Sequence, residues 1–182
     1  GKRPKRIEIA DLDLDGKPEV VLSSQGNNSV TVLVNQSSLG SISFSPIAPI
    51  SIVIPGAAST EGLAVEDLNG DKRPEIVTSQ FQTNSDIYII SNASSPGSFS
   101  AGAIRTITVG VPIKNIRVGD LDGDRKPDIA YTKLTSSEVG LLLNQSTPTT
   151  LNFSAAPSVA TDVTPWGIDL GDLDGDGKVD IV

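Results

Sequence analysis

Short runs in which apolar and polar residues alternate recur along the whole chain and predict β-strands. In Ile7-Glu8-Ile9 and Val30-Thr31-Val32 every second side chain is apolar, the period of a strand with one buried face. β-Branched residues dominate these runs, and clusters of Gly, Asn, Ser and Pro separate them. We therefore expect short strands joined by turns.

One acidic motif occurs four times and divides the 182-residue chain into repeats. Its copies are ADLDLDGKPEV, EDLNGDKRPEI, GDLDGDRKPDI and GDLDGDGKVDI, and their lead aspartates are 56, 53 and 52 residues apart. An asparagine and a phenylalanine follow each of the first three copies at a nearly constant distance, which makes chance similarity very improbable. These residues are Asp11, Asp67, Asp120 and Asp172, then Asn35, Asn92 and Asn144, then Phe44, Phe99 and Phe153.

Each full repeat is predicted to contain four strands. The first strand precedes the acidic motif and the second follows it, while the fourth lies around the phenylalanine. Pro46, Pro49 and Pro157 fall in fourth strands, and because proline cannot donate to a ladder, these strands should lie at a sheet edge. The predicted first strands are 6–10, 62–65, 114–118 and 167–170, the second 19–23, 75–79, 128–132 and 180–182, and the third 30–34, 86–90 and 139–143.

Four antiparallel strands at a period of just over fifty residues match one blade of a β-propeller. The predicted fold is therefore all-β, with three blades and the first two strands of a fourth. Because propellers usually close with about four to eight blades, we expect a segment of a larger, roughly seven-bladed propeller. The predicted blades are 6–55, 62–110 and 114–163, with a half blade at 167–182.

The acidic motifs have the oxygen-rich spacing of calcium loops. Numbered from the lead aspartate, positions 1, 3, 5 and 9 carry carboxylate or amide side chains, and position 7 can offer its backbone carbonyl, which gives at least five oxygen ligands for Ca²⁺. A glycine at position 4 or 6 permits the sharp turn. The candidate ligands are Asp11, Asp13, Asp15, Lys17 and Glu19; Asp67, Asn69, Asp71, Arg73 and Glu75; Asp120, Asp122, Asp124, Lys126 and Asp128; Asp172, Asp174, Asp176, Lys178 and Asp180, with the lysines and the arginine acting through their carbonyls.

The distribution of charge supports up to four calcium sites. The loops contain 15 of the 22 acidic residues, and carboxylates packed this closely repel one another unless a cation lies among them. Four Ca²⁺ ions would cancel the formal net charge of −8. Solvated acidic turns are the alternative. An EF-hand is disfavoured, because position 12 holds Leu22, Thr78 or Tyr131 instead of glutamate and the flanking segments are strand-like.

Composition excludes several kinds of chemistry. The chain has no His, Cys or Met, so a Ser-His-Asp triad, a thiol nucleophile and a cysteine-ligated zinc are all impossible. The acidic balance argues against nucleic acid as a partner. No apolar run approaches the roughly 18 residues that a membrane helix needs.

The motif G-D-L-D-G-D-G-K-x-D-I between two strands resembles the FG-GAP/VCBS repeat of integrin-α-like propellers. The intervening segments, such as SVTVLVNQSS, resemble the bacterial VCBS type more than the integrin type. This resemblance implies a calcium-stabilised, extracellular or cell-surface propeller that meets its partners on the face opposite the calcium loops. An extracellular location also fits the weak calcium affinity of extracellular modules, whose sites would be empty at cytosolic calcium levels.

Three functions fit these observations. The first is a non-enzymatic module for adhesion or for binding a glycan or protein; the second is part of a polysaccharide lyase or hydrolase; the third is a passive spacer. A glycosidase needs two carboxylates about 5–10 Å apart, and the sequence identifies no such pair outside the loops. Trp166, the only tryptophan, lies in a link between blades, where it would suit sugar stacking if exposed or a packing wedge if buried.

Overall fold

The computed structural model describes residues 3–26, 28–44, 50–56, 59–81 and 85–182, and within them all regular structure is β. These residues contain no helix with the length and apolarity that a membrane crossing requires. The strands of the first two sheets are β1 (Arg3–Ala10), β2 (Glu19–Gln25), β3 (Ser29–Leu33), β4 (Ile50–Val53), β5 (Leu63–Glu66), β6 (Glu75–Ser79), β7 (Asp86–Asn92) and β8 (Ala101–Thr108). The remaining strands are β9 (Ile113–Gly119), β10 (Asp128–Lys133), β11 (Glu138–Asn144), β12 (Phe153–Ala160), β13 (Leu170–Gly171) and β14 (Asp180–Ile181).

Each sheet is an antiparallel meander in which sequence neighbours are also hydrogen-bonded neighbours. The described strands form three four-stranded sheets, β1-β2-β3-β4, β5-β6-β7-β8 and β9-β10-β11-β12, and the two-stranded sheet β13-β14. This confirms the predicted all-β fold of four-stranded antiparallel blades.

The fourth strands depart from the prediction. The strands β4 and β8 begin only after Phe44 and Phe99, whereas β12 begins at Phe153. Phe44 instead forms an isolated bridge with Asn35, because the chain between them folds into a tight turn closed by paired backbone hydrogen bonds. Pro157 lies in β12 at the edge of its sheet, as predicted, while Pro46 and Pro49 lie outside the described residues.

The hydrophobic core lies between consecutive sheets. Val30 and Val32 of the first sheet pack with Tyr88 and Ile90 of the second, and all four are at most 1% exposed. A second cluster joins the second and third sheets, and a third cluster joins the third sheet to β13 and β14. Since every blade buries its apolar face against its neighbour, the stability of one blade depends on the next.

One face of the first sheet is exposed. Leu63 and Ile116, which lie four residues before their lead aspartates, are completely buried against the preceding blade. The equivalent Ile7 is 58% exposed, and Ile9, two residues later in β1, is 65% exposed. The outer face of β1 therefore presents the apolar pattern that the later blades bury.

Candidate metal centre

The four acidic loops connect the first two strands of each blade, and the carboxylate at position 1 closes each loop. In the third loop, Asp120 Oδ1 accepts a hydrogen bond from Gly123 N at 2.8 Å, and Oδ2 accepts one from Arg125 N at 2.9 Å. Equivalent bonds to the lead aspartate close the other three loops. The backbone of the loop thus curls around one carboxylate.

Positions 3 and 5 continue the same arrangement. Asp122 Oδ1 accepts from Asp124 N at 3.0 Å, and Asp124 Oδ1 accepts from Lys126 N at 2.8 Å. The fourth loop repeats both bonds through Asp174 and Asp176. Each of these carboxylates uses one oxygen to fix the turn. The second oxygen can meet a cation, and that of Asp176 already accepts a hydrogen bond from Lys178 Nζ at 3.2 Å.

The loops need left-handed backbone at both position 4 and position 6, whereas the sequence predicted a glycine at only one of them. The fourth loop satisfies both with Gly175 and Gly177, at φ values of 80° and 84°. The first three loops each place one non-glycine residue there: Leu14 at 58°, Lys72 at 74° and Arg125 at 70°. A side chain in this conformation costs roughly 1–2 kcal/mol, so these loops store strain that the fourth does not.

The residue at position 9 is buried in each of the first three loops. Glu19, Glu75 and Asp128 are at most 1% exposed. In the third loop, Asp128 accepts hydrogen bonds from Leu121 N at 2.9 Å and from Asn144 N at 2.7 Å. Position 9 thereby joins the start of its loop to the end of the third strand.

Burial and neighbouring carboxylates disfavour the ionised form of these groups. Desolvation raises the pKa values of Glu19 and Asp128, and it raises the pKa of Glu75 to about 7. The aspartates at other positions of the same loops raise these pKa values further, while the backbone N–H donors lower them. In the metal-free protein, position 9 of these loops therefore holds a proton more readily than a solvent-exposed carboxyl group does.

Three loops bring three carboxylates together. Within each group, one oxygen of every residue lies within 4.8 Å of the others, and the groups are Asp11, Asp13 and Asp15; Asp120, Asp122 and Asp128; and Asp172, Asp174 and Asp180. The first group thus omits Glu19, and the other two omit Asp124 and Asp176. Among the described residues the second loop forms no such group, since Asn69 stands at its position 3.

An unpartnered oxygen in the first loop fits a cation. Asp13 is 1% exposed, and no described group donates a hydrogen bond to its buried Oδ1. Burial, together with the charges of Asp15 and Asp11, raises the pKa of Asp13. A buried carboxylate oxygen without a donor is costly, and a hard divalent cation satisfies such an oxygen.

The repeated asparagine ties neighbouring loops together, which sequence analysis did not foresee. Asn92 Nδ2 donates to Leu12 O in the preceding loop at 2.8 Å and to Pro74 O in its own loop at 3.0 Å. Its constant distance from the lead aspartate was the available signal, but this distance does not identify the acceptors. Asn144 donates in the same way to Leu68 O and Pro127 O.

The acidic loops lie at one end of the sheets, here called the loop face. The turns between third and fourth strands share it, since Gly97 N in such a turn donates to Asp13 O at 3.0 Å. The links between blades and the turns between second and third strands meet at the opposite end, the link face, where Thr161 N donates to Ser137 O at 2.8 Å. Candidate metal ligands and interblade links therefore occupy opposite faces.

Comparison with protein families gives one match that spans almost the whole chain. The model described as FG-GAP-like repeat matches residues 11–78, 67–131 and 120–182, and each match begins at a lead aspartate. A comparison with curated proteins gives no match.

Proposed function

The chain belongs to the family of FG-GAP-like repeats, and from this membership we propose that it is a calcium-stabilised β-propeller module of an extracellular or cell-surface protein. The observation that carries the calcium proposal is the buried Oδ1 of Asp13, which has no described donor and lies among three clustered carboxylates. The segments between the loops favour a bacterial VCBS-type repeat within this family.

The oxygens that would hold calcium come from positions 1, 3, 5 and 9 and from the carbonyl at position 7. The first, third and fourth loops have the strongest case, because each brings together three carboxylates. The second loop offers a neutral amide oxygen from Asn69, so it supplies less charge and should bind calcium more weakly. Up to four ions would be bound.

The role we propose for calcium is structural. The loops repeat in every blade, and each connects the first and second strands of its blade. At about ten times Kd, each bound ion would stabilise the fold by roughly 1.4 kcal/mol. Four ions would contribute on the order of 5 kcal/mol, comparable to the net stability of a domain.

The module itself is proposed to bind rather than to catalyse. Its partner would be an extracellular protein or glycan that meets the link face. Outside the acidic loops, Glu61 and Asp169 are each engaged in an ion pair, with Lys114 and with Arg117 respectively. Because each of these carboxylates is held by a basic side chain, the ion pairs favour a structural role for Glu61 and Asp169 over general acid or base chemistry.

Calorimetric titration of the EGTA-treated protein with CaCl₂ tests the calcium proposal. We expect up to four bound ions, and we expect Asp122→Asn to abolish or weaken one site because it removes a clustered carboxylate. Asp162→Asn is the matched control, since it removes an exposed acid outside the loops. Absence of calcium binding in the unmodified protein, or equal binding by the Asp122→Asn variant, would contradict the proposal.

A further inference from the structure

One position of the repeat holds a different residue type from blade to blade, and the residues at this position in successive blades form a chain of contacts. Six residues before the lead aspartates stand Lys5, Glu61, Lys114 and Trp166. Two residues further on, the last three repeats share a buried aliphatic side chain, Leu63, Ile116 or Ile168. The four residues at the earlier position, together with Phe81, are here called the entry cluster, because they lie where the first strand of each blade begins on the link face.

The entry cluster is a continuous series of charged and aromatic contacts. Lys114 Nζ donates to Glu61 Oε1, and Lys5 Nζ lies 3.7 Å from the same oxygen. The Lys114 ammonium lies 4.8 Å from the centre of the Phe81 ring and 5.6 Å from that of Trp166. Residues from all four blades thus meet at one place.

The polar groups of this cluster are incompletely paired. The Glu61 side chain is only 3% exposed, yet no described group donates to its Oε2. Its backbone is held firmly, because Glu61 N donates to Ser79 O at 2.7 Å and Ser23 Oγ donates to Glu61 O at 2.9 Å. Because buried polar groups are normally hydrogen-bonded, the unused Oε2 of Glu61 is an acceptor that a ligand could satisfy.

The aromatic part of the cluster is open to solvent. Trp166 is 64% exposed and Phe81 is 37% exposed, so neither is the buried wedge that was one expectation for Trp166. Burying the rest of an exposed tryptophan is favourable, and tryptophan is enriched where proteins contact partners. The Lys114 ammonium lies between this aromatic surface and the Glu61 carboxylate and contacts both.

We propose that the entry cluster binds a saccharide, which rests on the proposal that the module is a binding protein. The apolar C–H face of a pyranose ring would stack on Trp166. Neighbouring hydroxyls would accept a hydrogen bond from the Lys114 ammonium and donate one to the Glu61 carboxylate, since a vicinal diol matches an adjacent donor and acceptor. Movement of the half-exposed Lys5 side chain would give the ligand access to Glu61.

An array of neutral and acidic oligosaccharides, probed with the calcium-loaded protein, tests this proposal. We expect at least one glycan to bind, and binding to fall roughly tenfold or more in Trp166→Ala and in Glu61→Gln. Val163→Ala is the matched control, because it removes an exposed apolar side chain three residues away in the same link. Since Trp166 is the only tryptophan, its fluorescence should change when the bound glycan is titrated.

The outcomes separate this proposal from the calcium proposal. A blank array, or full binding by Trp166→Ala, overturns the saccharide site even if calcium stabilises the protein. Each variant is first melted with and without Ca²⁺, and an unchanged calcium-dependent shift shows that the variant still folds. Loss of calcium stabilisation with glycan binding retained would overturn the calcium proposal alone.

Discussion

At the scale of single residues, the acidic loops impose a backbone conformation that only some of the sequence suits. Positions 4 and 6 are left-handed in all four loops, but only the fourth has glycine at both. The non-glycine residues there are tolerated because the hydrogen bonds to the lead aspartate fix the turn. Because positions 4 and 6 are not candidate metal ligands, a substitution there changes the backbone strain of a loop without removing a ligand.

Replacing Arg125 by glycine should stabilise the protein. The change relieves a φ of 70° at a side chain exposed to solvent, and the expected gain is roughly 0.5–1 kcal/mol after the entropy cost of glycine. Thermal unfolding measures it. Arg125→Ala removes the same charge but keeps a Cβ, so an equal gain in that variant would assign the effect to charge instead of backbone.

Calcium binding by the second loop should strengthen as the pH rises. Burial raises the pKa of Glu75 to about 7, above its ordinary value of 4.5, so the folded metal-free protein holds a proton that the unfolded chain has lost. Its stability in EGTA should therefore fall between about pH 4.5 and pH 7, whereas a cation competes with that proton. Calcium titrations at about pH 5.5 and about pH 8 measure the difference. Glu75→Gln should reduce the pH dependence, and an unchanged profile would refute this role of Glu75.

At the scale of elements, the repeated asparagines couple each loop to its neighbour. Asn92→Ala should destabilise the protein by about 1–3 kcal/mol, because it removes the side-chain donor to the buried carbonyl of Leu12 and to the partly buried carbonyl of Pro74. Chemical denaturation measures this cost. Asn35 is the matched control, since its side-chain amide donates only to Pro18 O among the described acceptors, and Asn35→Ala should cost less. Equal costs would argue against coupling between loops.

The sequence predicted where the second strands begin but not where the fourth strands begin. The second strands begin at Glu19, Glu75, Asp128 and Asp180, where the motif predicts them, because position 9 ends the loop and begins the ladder. The fourth strands could not be located from the phenylalanines, since equivalent turns closed by backbone hydrogen bonds precede all three and only β12 begins at its phenylalanine.

For the candidate site, the sequence predicted positions but not which side chains come together. The spacing predicts the same candidate ligand positions in every loop, whereas the carboxylates that come together differ between loops. The entry cluster was visible as one divergent repeat position, but its contacts depend on how the blades turn relative to one another, which spacing does not specify.

At the scale of the whole molecule, the acidic residues are concentrated at one face. The four loops carry 15 of the 22 acidic residues at the loop face, while Lys5 and Lys114 of the entry cluster lie at the link face. Because the blades share their cores and the asparagines join consecutive loops, calcium bound in one loop should stabilise the neighbouring blades as well.

Thermal unfolding in millimolar Ca²⁺ and in excess EGTA tests the central claim most directly. If four ions contribute on the order of 5 kcal/mol, the melting temperature should fall by on the order of 10 °C or more when calcium is removed. Millimolar Mg²⁺ should restore little of this loss, because Mg²⁺ demands a more regular geometry than these loops provide. A melting curve that is the same in Ca²⁺ and in EGTA would contradict the proposal that calcium holds the blades together.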